Sequence, residues 1–160
     1  MLDTTATLTI RALPGDVAAT LRRTLKDDYG NALHPQDGEG SAPCRSCLRC
    51  SDPGEEVILF SYRPFAAPAL YQEVGPVFIH ARQCATYPSD AGFPAAFRTR
   101  PLILRPYDVH DAICGSQVLS APGEAEDQLE HMLADANVAY VHARSATRGC
   151  YLFRVERAPD

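Results

Sequence analysis

The chain has 160 residues, 46% of them hydrophobic, which suits one domain able to bury a core without cross-links. Its formal net charge is -5 and its basic residues are scattered, which excludes a general electrostatic grip on nucleic acid. The opening Met1-Leu2-Asp3-Thr4-Thr5 has no basic stretch and no long apolar run, so neither a secretory leader nor membrane association is expected, and the cytoplasm is the expected location.

Thr7 to Arg11 alternates and reads as a strand, and Leu13-Pro14-Gly15-Asp16 then opens a helix. Val17, Leu21 and Leu25 fall at i, i+4 and i+8, an apolar stripe on a helix expected to end near Tyr29-Gly30. From 31 to 43 Gly, Pro, Asp and Ser dominate, the composition of a flexible loop within the domain. Three cysteines follow at once, Cys44, Cys47 and Cys50.

Glu56 to Tyr62 reads as a strongly apolar strand and Pro76 to Arg82 as another. Arg100 to Arg105 and Ala112 to Leu119 read as a hairpin around Asp108-Val109-His110-Asp111. Ser120, Pro122, Glu124 and Glu126 give an acidic, capped helix start, with Ala125, Leu129, Met132 and Leu133 buried and His131 in solvent. Val138 to Arg144 and Cys150 to Arg157 close the chain as a strand pair. Several connections are too short for parallel crossovers, so the expected class is α+β: a mainly antiparallel sheet of six to seven strands with two helices packed on it.

Two patterns bear on chemistry. An aromatic, a β-branched residue and His-Ala-Arg occur twice, at Phe78-Ile79-His80-Ala81-Arg82 and Tyr140-Val141-His142-Ala143-Arg144. On adjacent strands His80, Arg82, His142 and Arg144 would share one face walled by Phe78 and Tyr140, and two guanidiniums with two imidazoles suit a small anionic ligand. The other pattern joins Cys44-x2-Cys47 to His80-x3-Cys84, two short pairs of the kind that a tetrahedral zinc uses, with Cys150 as a substitute ligand. His80 belongs to both patterns, so the two readings compete for it.

Other chemistry is less well served. Cys44, Cys47 and Cys50 start an iron-sulfur-like run whose fourth position falls on Gly54. Cys44-Arg45-Ser46-Cys47 also has the spacing of a redox pair, with Arg45 and Arg49 at hand for a thiolate, but no βαβ unit precedes it. Glu55 and Glu56 point to opposite faces of a strand start, which argues against a paired-carboxylate mechanism. No P-loop, nucleophile-elbow or dinucleotide fingerprint is present.

The combination of Cys44-Arg45-x-Cys47-Leu48, Gly54-Glu55, Ser61-Tyr62-Arg63-Pro64-Phe65, Gly75-Pro76-Val77-Phe78-x-His80, Tyr107-Asp108, His142-x-Arg144 and Gly149-Cys150-Tyr151 resembles the bacterial family called domain of unknown function 1203. The resemblance implies a small bacterial protein and brings no catalytic residues with it. From the residues themselves the expected function is small-anion binding at His80, Arg82, Tyr140, His142 and Arg144. The alternatives are a zinc-stabilised protein-interaction module built on Cys44, Cys47, His80 and Cys84, and a thiol-redox protein using Cys44 and Cys47. Whether the chain is an enzyme is left open.

Overall fold

The computed structural model describes residues 8–119 and 123–159. In chain order its elements are β1 (Leu8–Arg11), α1 (Gly15–Thr24), β2 (Pro35–Asp37), β3 (Glu56–Tyr62), β4 (Gly75–His80), a 3-10 turn (Ala95–Phe97), β5 (Leu102–Tyr107), β6 (Gln117–Leu119), α2 (Ala125–Ala134), β7 (Tyr140–Ser145) and β8 (Tyr151–Arg157). This is the α+β class with two helices, but the strands form two sheets. One has the order β1-β8-β7-β5-β6 and the other β2-β3-β4, with every strand pairing antiparallel. The sheet divides after β4, because the backbone of the cysteine loop, bridging Cys44 to Phe78, occupies the free edge of that strand.

Each sheet packs its apolar face into a core of its own. Ile10, Leu102, Leu104, Val141, Ala143, Phe153 and Val155 of the larger sheet meet Ala125, Leu129 and Leu133 of α2, with Phe93 and Phe97 closing the cluster. Ile58 and Phe60 of β3 and Val77 and Ile79 of β4 meet Ala18 and Leu21 of α1. The opposite face of the larger sheet carries a small aromatic group, Phe65, Tyr107 and Tyr140.

A bulge in β8 links these layers. Ala143 pairs with Phe153 but the next residue, Arg144, pairs with Tyr151, so Leu152 is the extra residue. Leu152 and Phe153 therefore both enter the large core, and Tyr151 turns to the other face, where it joins the second core.

Several expected boundaries move for identifiable reasons. α1 stops at Thr24 because Leu25 takes a left-handed conformation (φ 52) and the chain doubles back, Leu33 N–H donating to Leu25 O at 2.8 Å. Asp27 holds this turn, its carboxylate accepting from the backbone N–H of Tyr29, Asn31 and Ser61. The segment 31–43, expected as a flexible loop, contains β2 and buries Leu33 and Ala42. β4 ends two residues early, at His80, and β6 is confined to three residues. Met1 to Thr7, Ser120 and Pro122 lie outside the described residues, and α2 begins after Glu124 with no side-chain cap.

Candidate functional site

The cysteine loop is a small hairpin. Pro43 and Cys50 form an antiparallel bridge, Cys44 N–H donates to Arg49 O at 3.0 Å, and Leu48 N–H donates to Cys44 O at 3.0 Å. Leu48 turns the chain with φ 56 and sends its side chain into the large core. At the base, Ser51 Oγ accepts from Ala42 N–H and donates to Gly38 O. Gly38 is required there, since a Cβ would stand 2.4 Å from Ser51 Oγ. The tip rests on β4, where Arg45 N–H donates to Phe78 O at 3.0 Å.

This docking brings Cys44 and Cys47 to the end of β4, where His80 and then Cys84 arrive. The four ligand atoms lie within 4.8 Å of one another, with Cys44 and His80 buried and Cys47 and Cys84 half-buried. An ion about 2.3 Å from sulfur and 2.0 Å from nitrogen in a tetrahedron sets ligand atoms about 3.5 to 3.8 Å apart. Cys44 Sγ is 3.7 Å from Cys84 Sγ, and Cys47 Sγ is 3.3 Å from His80 Nδ1. The group has the donors and the size for a metal ion.

The surroundings suit such an ion too. His80 presents Nδ1 to the sulfurs, and its Nε2 lies 3.2 Å from Glu55 Oε1. At that approach the two atoms do not form a hydrogen bond. Arg22 of α1 donates from Nη2 to Cys84 Sγ at 3.2 Å and from Nε to His80 O at 3.0 Å, while His80 N–H donates to Cys44 Sγ at 3.3 Å. Hydrogen bonds from Cys44 and Cys47, with Arg22 assisting, hold the Cys84 thiol well below its ordinary range. The same sharing with Cys44 and Cys84, together with burial, pushes Cys47 up. Arg22 and Cys84 also line a groove of about 600 Å³ between α1 and the segment 81–86.

Arg45 ties the loop to the larger sheet. It is 2% exposed, donating from Nε to Tyr151 O at 2.7 Å and from Nη1 to Pro43 O at 2.6 Å. Burial lowers its pKa to about 10, which leaves it charged at neutral pH.

The two His-Ala-Arg strands do not lie side by side: β4 and β7 belong to different sheets. His80 stands in the thiol group, and Arg82 is exposed beyond the end of β4. His142, Arg144 and Tyr140 share the aromatic face of the larger sheet, all three buried. His142 sits among Phe65, Tyr107, Tyr140 and Tyr151, with ring centroids 4.8 to 5.2 Å away. Burial, then the guanidiniums of Arg144, Arg154 and Arg105, push its pKa down to about 3. Cys150 is not in the ligand group, its Sγ lying against Arg148 O, and neither are Cys50 and the exposed Cys114.

Glu55 and Arg22 border the thiol group, Arg105 lies opposite His142, and Glu73 accepts from both Arg105 and Arg144; none of Glu55, Arg22, Glu73 and Arg105 is marked as a site residue by sequence reasoning. Glu55 carried a usable signal, because it immediately precedes the strand whose partner ends at His80. Glu73 carried none, lying in a connection without periodicity.

Fold and site together define an α+β protein with a Cys3His group at the joint of two sheets. No helix among the described residues is long and apolar enough to cross a membrane. The family model described as "Protein of unknown function (DUF1203)" matches residues 41–157, and the chain belongs to that family. Searches of the curated proteins and of the solved structures returned no match.

Proposed function

We propose that the chain is a zinc-stabilised module in which Cys44 Sγ, Cys47 Sγ, His80 Nδ1 and Cys84 Sγ hold one zinc ion. The observation that carries this reading is the convergence of four soft and borderline donors within 4.8 Å. Three thiolates and an imidazole favour zinc over the oxygen-seeking cations, and a complete set of four protein ligands is the mark of a structural site rather than a catalytic one. Glu55 at the far nitrogen of His80 and Arg22 at Cys84 supply the outer groups that orient ligands and offset the excess negative charge. The ion fastens the cysteine hairpin and the segment after β4 to the smaller sheet. Arg45 and Leu48 carry that anchorage to the larger one. All six cysteines are unpaired, in keeping with a reducing compartment such as the cytoplasm.

Elemental analysis of protein purified without chelator tests this. About one zinc per chain is expected, with cobalt substitution giving the intense visible and charge-transfer bands of a tetrahedral thiolate site. Metal-free protein whose melting temperature is indifferent to added zinc and to chelator would overturn the reading.

A further inference from the structure

The face of β7 turned away from the large core holds a group of polar atoms that the packing leaves without partners. Both ring nitrogens of His142, the hydroxyl of Tyr107 and Nη1 of Arg144 are buried and make no hydrogen bond. A buried polar atom without a partner is costly, so four in one place is a large defect for a core to carry. Strand register gathers them: Tyr107 lies opposite Tyr140 and Arg105 opposite His142 on the neighbouring strand β5.

Over this face folds the connection between β3 and β4, residues 63–74. Phe65 is its one buried residue, while Leu70 is fully exposed and Tyr71 and Val74 are about half exposed. A segment that buries so little lifts at small cost. It contributes two groups to the face. The Phe65 ring packs 5.2 Å from His142 and 5.5 Å from Tyr107, and the Glu73 carboxylate accepts from Arg105 Nη1 at 2.8 Å and from Arg144 Nη2 at 2.6 Å.

We propose that this face is a binding site for a small aromatic carboxylate, and that Phe65 and Glu73 fill it as the chain's own ring and carboxylate. The fit is incomplete in a telling way: the internal ring is apolar, so it can satisfy neither His142 nor Tyr107. A hydroxylated ring carrying a carboxylate would restore the two-arginine clamp and also partner one ring nitrogen of His142 and the Tyr107 hydroxyl, which is the free-energy difference needed to displace the segment. Neutral His142 presents either its N–H or its bare nitrogen to such a hydroxyl. The aromatic walls favour a flat apolar body over inorganic phosphate, which has no ring to lay against them. This inference does not depend on the zinc reading, since none of its residues is a metal ligand.

The test is titration of the whole chain as purified with 4-hydroxybenzoate, benzoate and inorganic phosphate, followed by calorimetry and by the NMR signals of the His142 ring. Saturable binding in the order 4-hydroxybenzoate, benzoate, phosphate is expected. Glu73→Gln, which weakens the internal competitor, should tighten 4-hydroxybenzoate by about tenfold, and Arg144→Lys should abolish binding. If Glu73→Gln does not fold alone, 4-hydroxybenzoate should restore its melting transition and phosphate should not. The proposal is overturned if neither carboxylate binds parent or variant, if phosphate binds as well as the carboxylates, if Arg144→Lys binds normally, or if an unfolded Glu73→Gln is not rescued.

Discussion

Glu55 Oε1 stands 3.2 Å from His80 Nε2, on the side of the ring away from the three sulfurs. Strand pairing produces this contact. Val57 is in register with His80, so the residue just before β3 falls beside the end of β4. A carboxylate in that place fixes the tautomer that leaves Nδ1 free for a metal and makes it a better donor. Glu55→Gln should lower zinc affinity by about 10- to 100-fold while leaving the stoichiometry intact, as read by competition with a colorimetric chelator. Unchanged affinity would show that the carboxylate serves only Arg49 and the backbone N–H of Asp52, its other partners.

The cysteines divide into ligands and bystanders. Cys44→Ser, Cys47→Ser and Cys84→Ser should each lose the bound zinc and the stability that goes with it, because a hydroxyl is a poor ligand for this ion. Cys50→Ser, Cys114→Ser and Cys150→Ser should retain zinc and melt within a few degrees of the parent. Zinc loss in Cys150→Ser would return that residue to the ligand set.

Arg45 is the residue whose replacement should hurt folding most for its size. Arg45→Ala strips the buried carbonyls of Tyr151 and Pro43 of their donors, at a cost of about 3 kcal/mol, or roughly 10 °C in a chain of this length. Arg45→Lys should recover little, since one ammonium lacks the forked reach to both carbonyls. Thermal melts of the zinc-loaded proteins measure both.

Acid stability should carry the signature of His142. Its imidazole titrates near 3 in the fold, against about 6.5 in an unfolded chain. Above 6.5 both states are neutral and the group contributes no pH dependence. Between 6.5 and 3 the unfolded chain takes up a proton that the folded one refuses, so stability falls as the solution is acidified, by about 1.4 kcal/mol per pH unit from this group. Below 3 the folded state is protonated as well and the decline stops. Denaturant titrations of His142→Phe against the parent should show a shallower loss between pH 6 and 4. Parallel curves would place a hydrogen-bond partner on the ring.

Much of the fold could be read along the chain. β3 matches its expected bounds, α2 buries Ala125, Leu129 and Leu133 as its stripe predicts, and His131 faces solvent. These features rest on local alternation and helical spacing. What could not be read rests on contacts between distant residues. The break into two sheets depends on Cys44 occupying the edge of β4, and the early end of α1 depends on Asp27 accepting from Ser61 across 34 residues. The metal group was legible because its ligands come as two short pairs. The shared face expected for His80 and His142 does not form, because two pentapeptides of the same pattern carry no information about which sheet each joins. The bulge at Leu152, which turns Tyr151 toward His142, is likewise silent in the sequence.

The cysteine hairpin places Cys44 in one core and, four residues on, Leu48 in the other. Whatever loosens the metal end therefore withdraws a side chain from the packing between the larger sheet and α2. Neither half can relax while its neighbour stays intact. A chelator should act on this molecule as a denaturant does, erasing amide-exchange protection in both sheets in a single step rather than fraying one loop.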